Sequence, residues 1–263
     1  MKYINHSDKL KKILNAITAE NLSIILDFDK TITSAKSPDS WDVTALLLNE
    51  SCKEKLNQIY AFYAPKELDY TLKYSEKNEF MIEWYTKCMD LYYNCGLTKQ
   101  KLEKAVEISS LDFRKGAKEF LQRSCTKNIP VIILSAGIGN VIKEFLKSNN
   151  CLHENIYIVS NFIEFNSDGT MKKFDNSKMI HTLNKTLKNH LPEDWGKKLT
   201  SRKYKLLVGD LCEDENMVPK EDWANTVKVG MLNANIEENL LIYRKIFDIV
   251  LTETDANFEN WGW

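Results

Sequence analysis

The chain of 263 residues is 43% hydrophobic and 28% charged, and its 36 basic against 37 acidic residues give a formal charge of -1. This is an ordinary soluble globular composition. The charge balance argues against a nucleic-acid polymer as partner and favours a small molecule, and the short apolar runs exclude a membrane span, which needs about 20 residues.

In chain order, "MKYINHSDKLKKILNAITAENLS" places Leu10, Ile13, Leu14 and Ile17 on one helical face and lacks the apolar core of a signal peptide. Six β-branched apolar runs follow: 22–28, 130–135, 156–162, 204–210, 226–232 and 247–252. Bounded by Asp, Gly, Ser or Pro, they read as buried strands. Helical patterns between them, such as "GNVIKEFLKSNN", imply a parallel sheet covered on both faces. The gap between the first two runs is too long for one crossover and carries helical spacing throughout. Residues 34–111 are therefore expected to form a helical cap domain, with 1–33 and 112–263 as the α/β core. Aromatics from Trp41 to Tyr93 crowd the insert, most as its core and some as a lining for a flat ligand. Alternation around Asn166-Ser167-Asp168-Gly169 suggests a β-hairpin over 162–174. The six cysteines, at 52, 88, 95, 125, 151 and 212, include no C-x-x-C pair and are expected as reduced thiols in a cytoplasmic protein.

Open α/β sheets bind ligands outside the carboxyl ends of their strands. The first run ends in Asp27-Phe28-Asp29, the second in Ser135 before Ala136-Gly137-Ile138-Gly139, and the fourth in Asp210 with Asp214 beyond it. Asp27, Asp29 and Asp210 offer hard oxygens suited to Mg²⁺, which would counter their mutual repulsion. Ser135 brings a hydroxyl, the glycines after it free backbone N–H groups for an anion, and Lys185 a point charge for a phosphate oxygen. Together these make a phosphoryl-transfer site.

"LDFDKTIT", "ILSAGIGNVI", Asn184-Lys185 and "VGDLCED" resemble the four motifs of the haloacid dehalogenase superfamily. "SAGIGNVIKEFL", "YIVSNFIEFNSDGTMKKF", "IHTLNKT", "VKVGMLNANIEENLLIYRKIFDIVL" and, in the cap, "EFMIEWYTK" are similar to the cytosolic 5′-nucleotidase III family. The resemblance spans about residues 20–252. It implies a Rossmann-like parallel sheet of the haloacid dehalogenase type, a helical cap after the first strand, and Mg²⁺-dependent hydrolysis of pyrimidine or 7-methylguanosine monophosphates. It also implies roles: Asp27 as nucleophile, Asp29 as acid and base, Ser135, Ala136 and Lys185 on the phosphate, and Asp27, Asp210 and the Asp29 carbonyl on the metal. Asp214 would position metal-bound water or Lys185, and Glu67, Trp84 and Cys88 would meet the base. A monomer is expected. The alternatives are a phosphatase for another small phosphomonoester, such as phosphoserine, and a non-catalytic nucleotide-binding protein. The chain departs from the pattern at Leu211 and Glu213, where the family has small residues, and at Cys88, where it has serine.

Overall fold

The computed structural model describes residues 2–4, 7–67, 69, 71–187, 190–252, 256–259 and 261. Seven strands form one sheet: β1 (Lys2–Ile4), β2 (Leu22–Leu26), β3 (Val131–Ile138), β4 (Ile156–Asn161), β5 (Tyr204–Gly209), β6 (Thr226–Leu232) and β7 (Ile249–Thr252), in the order β1-β7-β6-β5-β2-β3-β4. All pairings are parallel except that of β1 with β7. Each of the six apolar runs falls on one of these strands, and five contain the strand whole, while β3 continues past its run to Ile138. The short edge strand β1 is an addition, since three residues carry too little periodicity to read.

The chain runs from β2 to β3 and β4 on one side, then returns to β5 on the other. The carboxyl end of β2 is thus a topological switch point, where neighbouring connections diverge and leave a crevice. Every residue of β2 is buried. Its Leu22, Ile24 and Leu26 pack with Leu10 and Ile13 of α1 (Asp8–Ala16), with α6 (Ala117–Thr126) and with α7 (Gly139–Ser148). Ile25 faces the other way, toward Trp195 of α8 (Glu193–Thr200) and Tyr243 of α9 (Ile236–Ile246). Burial on both faces explains why the strands read as unbroken apolar runs. Leu14, expected on the apolar face of α1, is exposed.

Four helices fill the insert between β2 and β3: α2 (Ser40–Ala45), α3 (Glu50–Glu67), α4 (Tyr74–Asn94) and α5 (Lys99–Ile108). α3 and α4 pair through Tyr63, Trp84 and Tyr85. Several of the insert's aromatics lie outside its core, for Tyr60, Phe62, Tyr74 and Tyr93 are exposed. The expectation of six reduced thiols is corrected: Cys52, at the start of α3, is disulfide-bonded to Cys95, just past the end of α4. The helical hairpin brings together two cysteines 43 residues apart, a proximity that no local spacing signals. The hairpin expected at 162–174 is a tight turn closed by a single antiparallel bridge, Phe165 to Met171, with Gly169 in the left-handed region at φ +83°. No helix among the described residues is long and apolar enough to cross a membrane.

Candidate active site

Asp27 is the first residue past β2, and its N–H donates to the Val208 carbonyl of β5 at 2.9 Å. Its buried carboxylate accepts from Lys185 Nζ, which also donates to Asp214 Oδ1 at 2.8 Å. Burial, then the charge of Asp214, raises the Asp27 pKa to about 6 against the opposing pull of Lys185. Burial would lower the Lys185 pKa, but the two carboxylates outweigh it and hold the ammonium charged.

Lys185 reaches this point from an irregular loop fastened by two asparagines. Asn184 accepts from the His181 N–H at 2.8 Å and donates to the Met179 carbonyl at 2.8 Å. Asn161, at the end of β4, donates to the carbonyls of Ala136 and Ile180 and accepts from the Ile180 N–H. The Lys185 loop and the Ala136 peptide are thereby held by one buried side chain.

Asp210 follows β5. The Asp210 and Leu211 N–H groups each donate to Asp214 Oδ2 at 3.0 Å, so both oxygens of Asp214 are engaged. A Cβ at position 209 would stand 2.5 Å from Asp214 Cβ, and only glycine permits the approach. Carboxylate oxygens of Asp27, Asp210 and Asp214 lie within 4.8 Å of one another. Burial and then the charges of Asp27 and Asp214 push the Asp210 pKa well up. An all-oxygen set that concentrates negative charge in this way fits a hard divalent cation.

Asp29 turns away from this cluster. Its carboxylate accepts from the Ser40 N–H at 2.9 Å and the Ser40 hydroxyl at 2.7 Å. Ser40 Oγ in turn accepts from the Ile138 N–H at 3.0 Å. Burial, followed by the charge of Asp39, raises the Asp29 pKa well above the usual range. A carboxyl whose pKa is raised in this way is better suited to give up a proton to a substrate as an acid. Directly after Asp29 the chain turns sharply, with Lys30 at φ +55°. Arg114 clamps that turn: Nε donates to the Thr31 carbonyl, Nη2 to the Lys30 carbonyl and to Asn233 Oδ1, and Nη1 to the Ala256 carbonyl. Asn233 Nδ2 donates to the Lys30 carbonyl at 3.0 Å and to Asp210 Oδ2 at 3.4 Å.

β3 runs on to Ile138 rather than ending at Ser135, with a register shift against β4 between Leu134 and Ile138. The irregular stretch carries Ser135, whose hydroxyl accepts from the Gly137 N–H at 2.9 Å. A Cβ on Gly137 would stand 2.6 Å from Asp29 Oδ2 and closer still to Ser40 Oγ. Asp27, Asp210, Asp214 and Lys185 therefore form one cluster, while Asp29 is joined to the Ser135 segment through Ser40.

The residues expected at the base lie in the insert. Glu67 is half-buried at the end of α3, and burial, then Glu213, raises its pKa to about 7 against Thr182 and Lys77. Half-buried Trp84 stacks on Tyr63 at 6.1 Å and meets Tyr60 and Tyr85 edge-on. Cys88, one turn along α4, is a buried free thiol pushed up to about 12 by burial. Tyr85 also contacts the His181 ring at 6.3 Å, joining the insert to the Lys185 loop. Ser40, Arg114, Asn161 and Asn233 escaped the sequence reading. Only Ser40 carried a local signal, since it follows a helix-capping Asp39.

A family model described as "Pyrimidine 5'-nucleotidase (UMPH-1)" matches residues 33–259. The 7-methylguanosine phosphate-specific 5′-nucleotidase of Homo sapiens is 30% identical over 261 residues, covering 94% of this chain and 86% of its own. That of Drosophila melanogaster is 31% identical, covering 93% and 80%. A crystal structure of cytosolic 5′-nucleotidase IIIB bound to cytidine superposes with a TM-score of 0.87 at 28% identity, covering 98% of this chain and 90% of that one. Phosphoserine phosphatase shares the fold, at a TM-score of 0.56 and 17% identity.

Proposed function

The chain belongs to the pyrimidine 5′-nucleotidase (UMPH-1) family, and on that premise we propose that this 5′-nucleotidase hydrolyses nucleoside 5′-monophosphates, either pyrimidine ones such as CMP and UMP or 7-methyl-GMP, with Mg²⁺. The observation that carries the reading is the buried Asp27–Lys185–Asp214 cluster at the switch point of the sheet, beside Asp210. The relatives named for 7-methylguanosine phosphate and the relative bound to cytidine support the substrate class. In this reading residues 34–111 are a cap over a core of 1–33 and 112–263, and the protein is a cytoplasmic monomer.

Asp27 attacks phosphorus. Its bond to phosphorus forms as the bond to the nucleoside 5′ oxygen breaks, giving an aspartyl-phosphate. Asp29 delivers its proton to the departing oxygen, a poor leaving group without it. The Asp29 carboxylate then takes a proton from water as that water attacks phosphorus, which frees phosphate and restores Asp27. Lys185, Ser135 and the Ala136 N–H hold the phosphoryl oxygens as charge shifts. Asp214 keeps Lys185 in place, since its other oxygen is bound by two backbone N–H groups. Asp27, Asp210 and the Asp29 carbonyl would hold Mg²⁺, which when bound neutralises phosphate charge so that one anion can approach another. Glu67, an acceptor when ionised, would take hydrogen bonds from the base, with Trp84 and Cys88 beside it.

Initial rates of phosphate release across all nucleoside monophosphates, 7-methyl-GMP and phosphoserine, with Mg²⁺ and with EDTA, test the reading. CMP, UMP or 7-methyl-GMP should lead and EDTA should abolish turnover. Preference for phosphoserine would overturn it.

A further inference from the structure

The first turn of α4 touches the site's loops at two points. The Tyr74 hydroxyl donates to the Leu183 carbonyl at 3.1 Å, two residues before Lys185. Lys77 Nζ lies 2.8 Å from Glu213 Oε1, with side chains only 7% and 16% exposed. Glu213 belongs to the helical turn Cys212–Met217 and directly precedes Asp214, whose carboxylate holds Lys185. It also stands where the resemblance has a small residue, one that could not reach the insert.

From this geometry we infer that Glu213 is a positioning residue: its ion pair with Lys77 fastens the base-facing helix of the insert to the loop that carries Asp214, and so fixes one half of the site against the other. The pair is largely removed from water, so salt screens it weakly, and Glu213 cannot lose Lys77 without a desolvation penalty. A solvated loop carboxylate would show neither the burial nor the partner. Glu67 belongs to the same junction, because Glu213 raises its pKa and Lys77 lowers it. α4 also carries Trp84 and Cys88, so a fastening at its first turn sets where those side chains stand relative to the phosphate cluster.

The kinetic arm of the test rests on the function proposed above, and the exchange arm does not. Hydrogen exchange on substrate-free protein compares wild type, Glu213→Ala, Lys77→Met, the double variant, and the charge reversal Lys77→Glu with Glu213→Lys. Either single variant should speed exchange in 74–80 and 211–217 together, the double variant should add nothing to either, and the reversal should restore protection. With CMP, the single variants should raise KM about tenfold, the size of coupling found for side chains in direct contact. They should lower kcat far less, and the reversal should recover KM. Unchanged exchange in 74–80 after Glu213→Ala, or a reversal no better than the single variants, would overturn the inference. Absence of turnover of CMP, UMP and 7-methyl-GMP in wild type would strike only the proposed function, because exchange still decides the fastening.

Discussion

The Ser40 hydroxyl and Ser40 N–H both bind the Asp29 carboxylate, at 2.7 and 2.9 Å. Ser40 lies at the start of α2 and also accepts from the Ile138 N–H, so one side chain aligns the proposed acid with the proposed phosphate strand. Ser40→Ala should lower kcat for CMP by about tenfold, a part of the 10²–10⁴ that a positioned acid supplies. The loss should shrink for p-nitrophenyl phosphate, whose leaving group needs no proton. An equal loss on both substrates would show that Ser40 does not act through the proton that Asp29 gives to the leaving group.

Asp27 carries opposite consequences for activity and stability. Asp27→Asn should reduce kcat by at least about 10³-fold, as the loss of a nucleophile does. In its folded setting Asp27 has a pKa of about 6, above the ordinary 3.8. The folded state thus binds its proton more tightly than the unfolded chain, and stability falls as pH rises through that window. The asparagine form lacks this penalty and can still accept from Lys185. Thermal unfolding of metal-free protein at pH 7 should show Asp27→Asn more stable, by about 1–3 kcal/mol, with the gain vanishing near pH 4. A variant less stable than wild type at pH 7 would mean that the Lys185 pairing outweighs burial.

The fold was legible because β2, β3, β5 and β6 are buried throughout and so announce themselves as unbroken apolar runs. Asp27 and Asp210 stood out because each directly follows a buried strand, whereas Lys185, in an irregular loop, stood out only through its order among the motifs. Ser40, Arg114 and Asn233 were not. Each acts by donating to or accepting from atoms as many as 203 positions away, and serine, arginine and asparagine occur everywhere on surfaces. The Cys52–Cys95 bond was hidden for the same reason, because the antiparallel hairpin of α3 and α4 makes the proximity.

That disulfide closes a loop with a sequence separation of 43. Chain-entropy reasoning assigns such a cross-link up to about 4 kcal/mol. Denatured, unreduced protein should titrate four thiols, those of Cys88, Cys125, Cys151 and Cys212, and six after reduction. Reduction or Cys52→Ser should lower the unfolding temperature while changing kcat little, because the bond ties the end of the helix pair opposite Glu67 and Lys77. Six thiols without reductant would remove the bond from the native protein.

Glu67 gives the site a pH dependence of defined sign. Its carboxyl ordinarily ionises near 4.5, and burial followed by Glu213 raises it to about 7. Only the ionised form is a pure acceptor for base N–H or amine donors. Between pH 8 and pH 6 the ionised fraction falls from about nine-tenths to about one-tenth. KM for CMP should therefore rise about tenfold over that interval. The substrate phosphate titrates in the same range, so the measurement is the ratio of wild-type KM to that of Glu67→Gln, which keeps an acceptor but cannot ionise. The ratio should increase as pH falls, because wild type loses its charge and turns one acceptor oxygen into a donor, while the variant does not change. A ratio flat from pH 6 to pH 8 would show that the Glu67 charge does not reach the base.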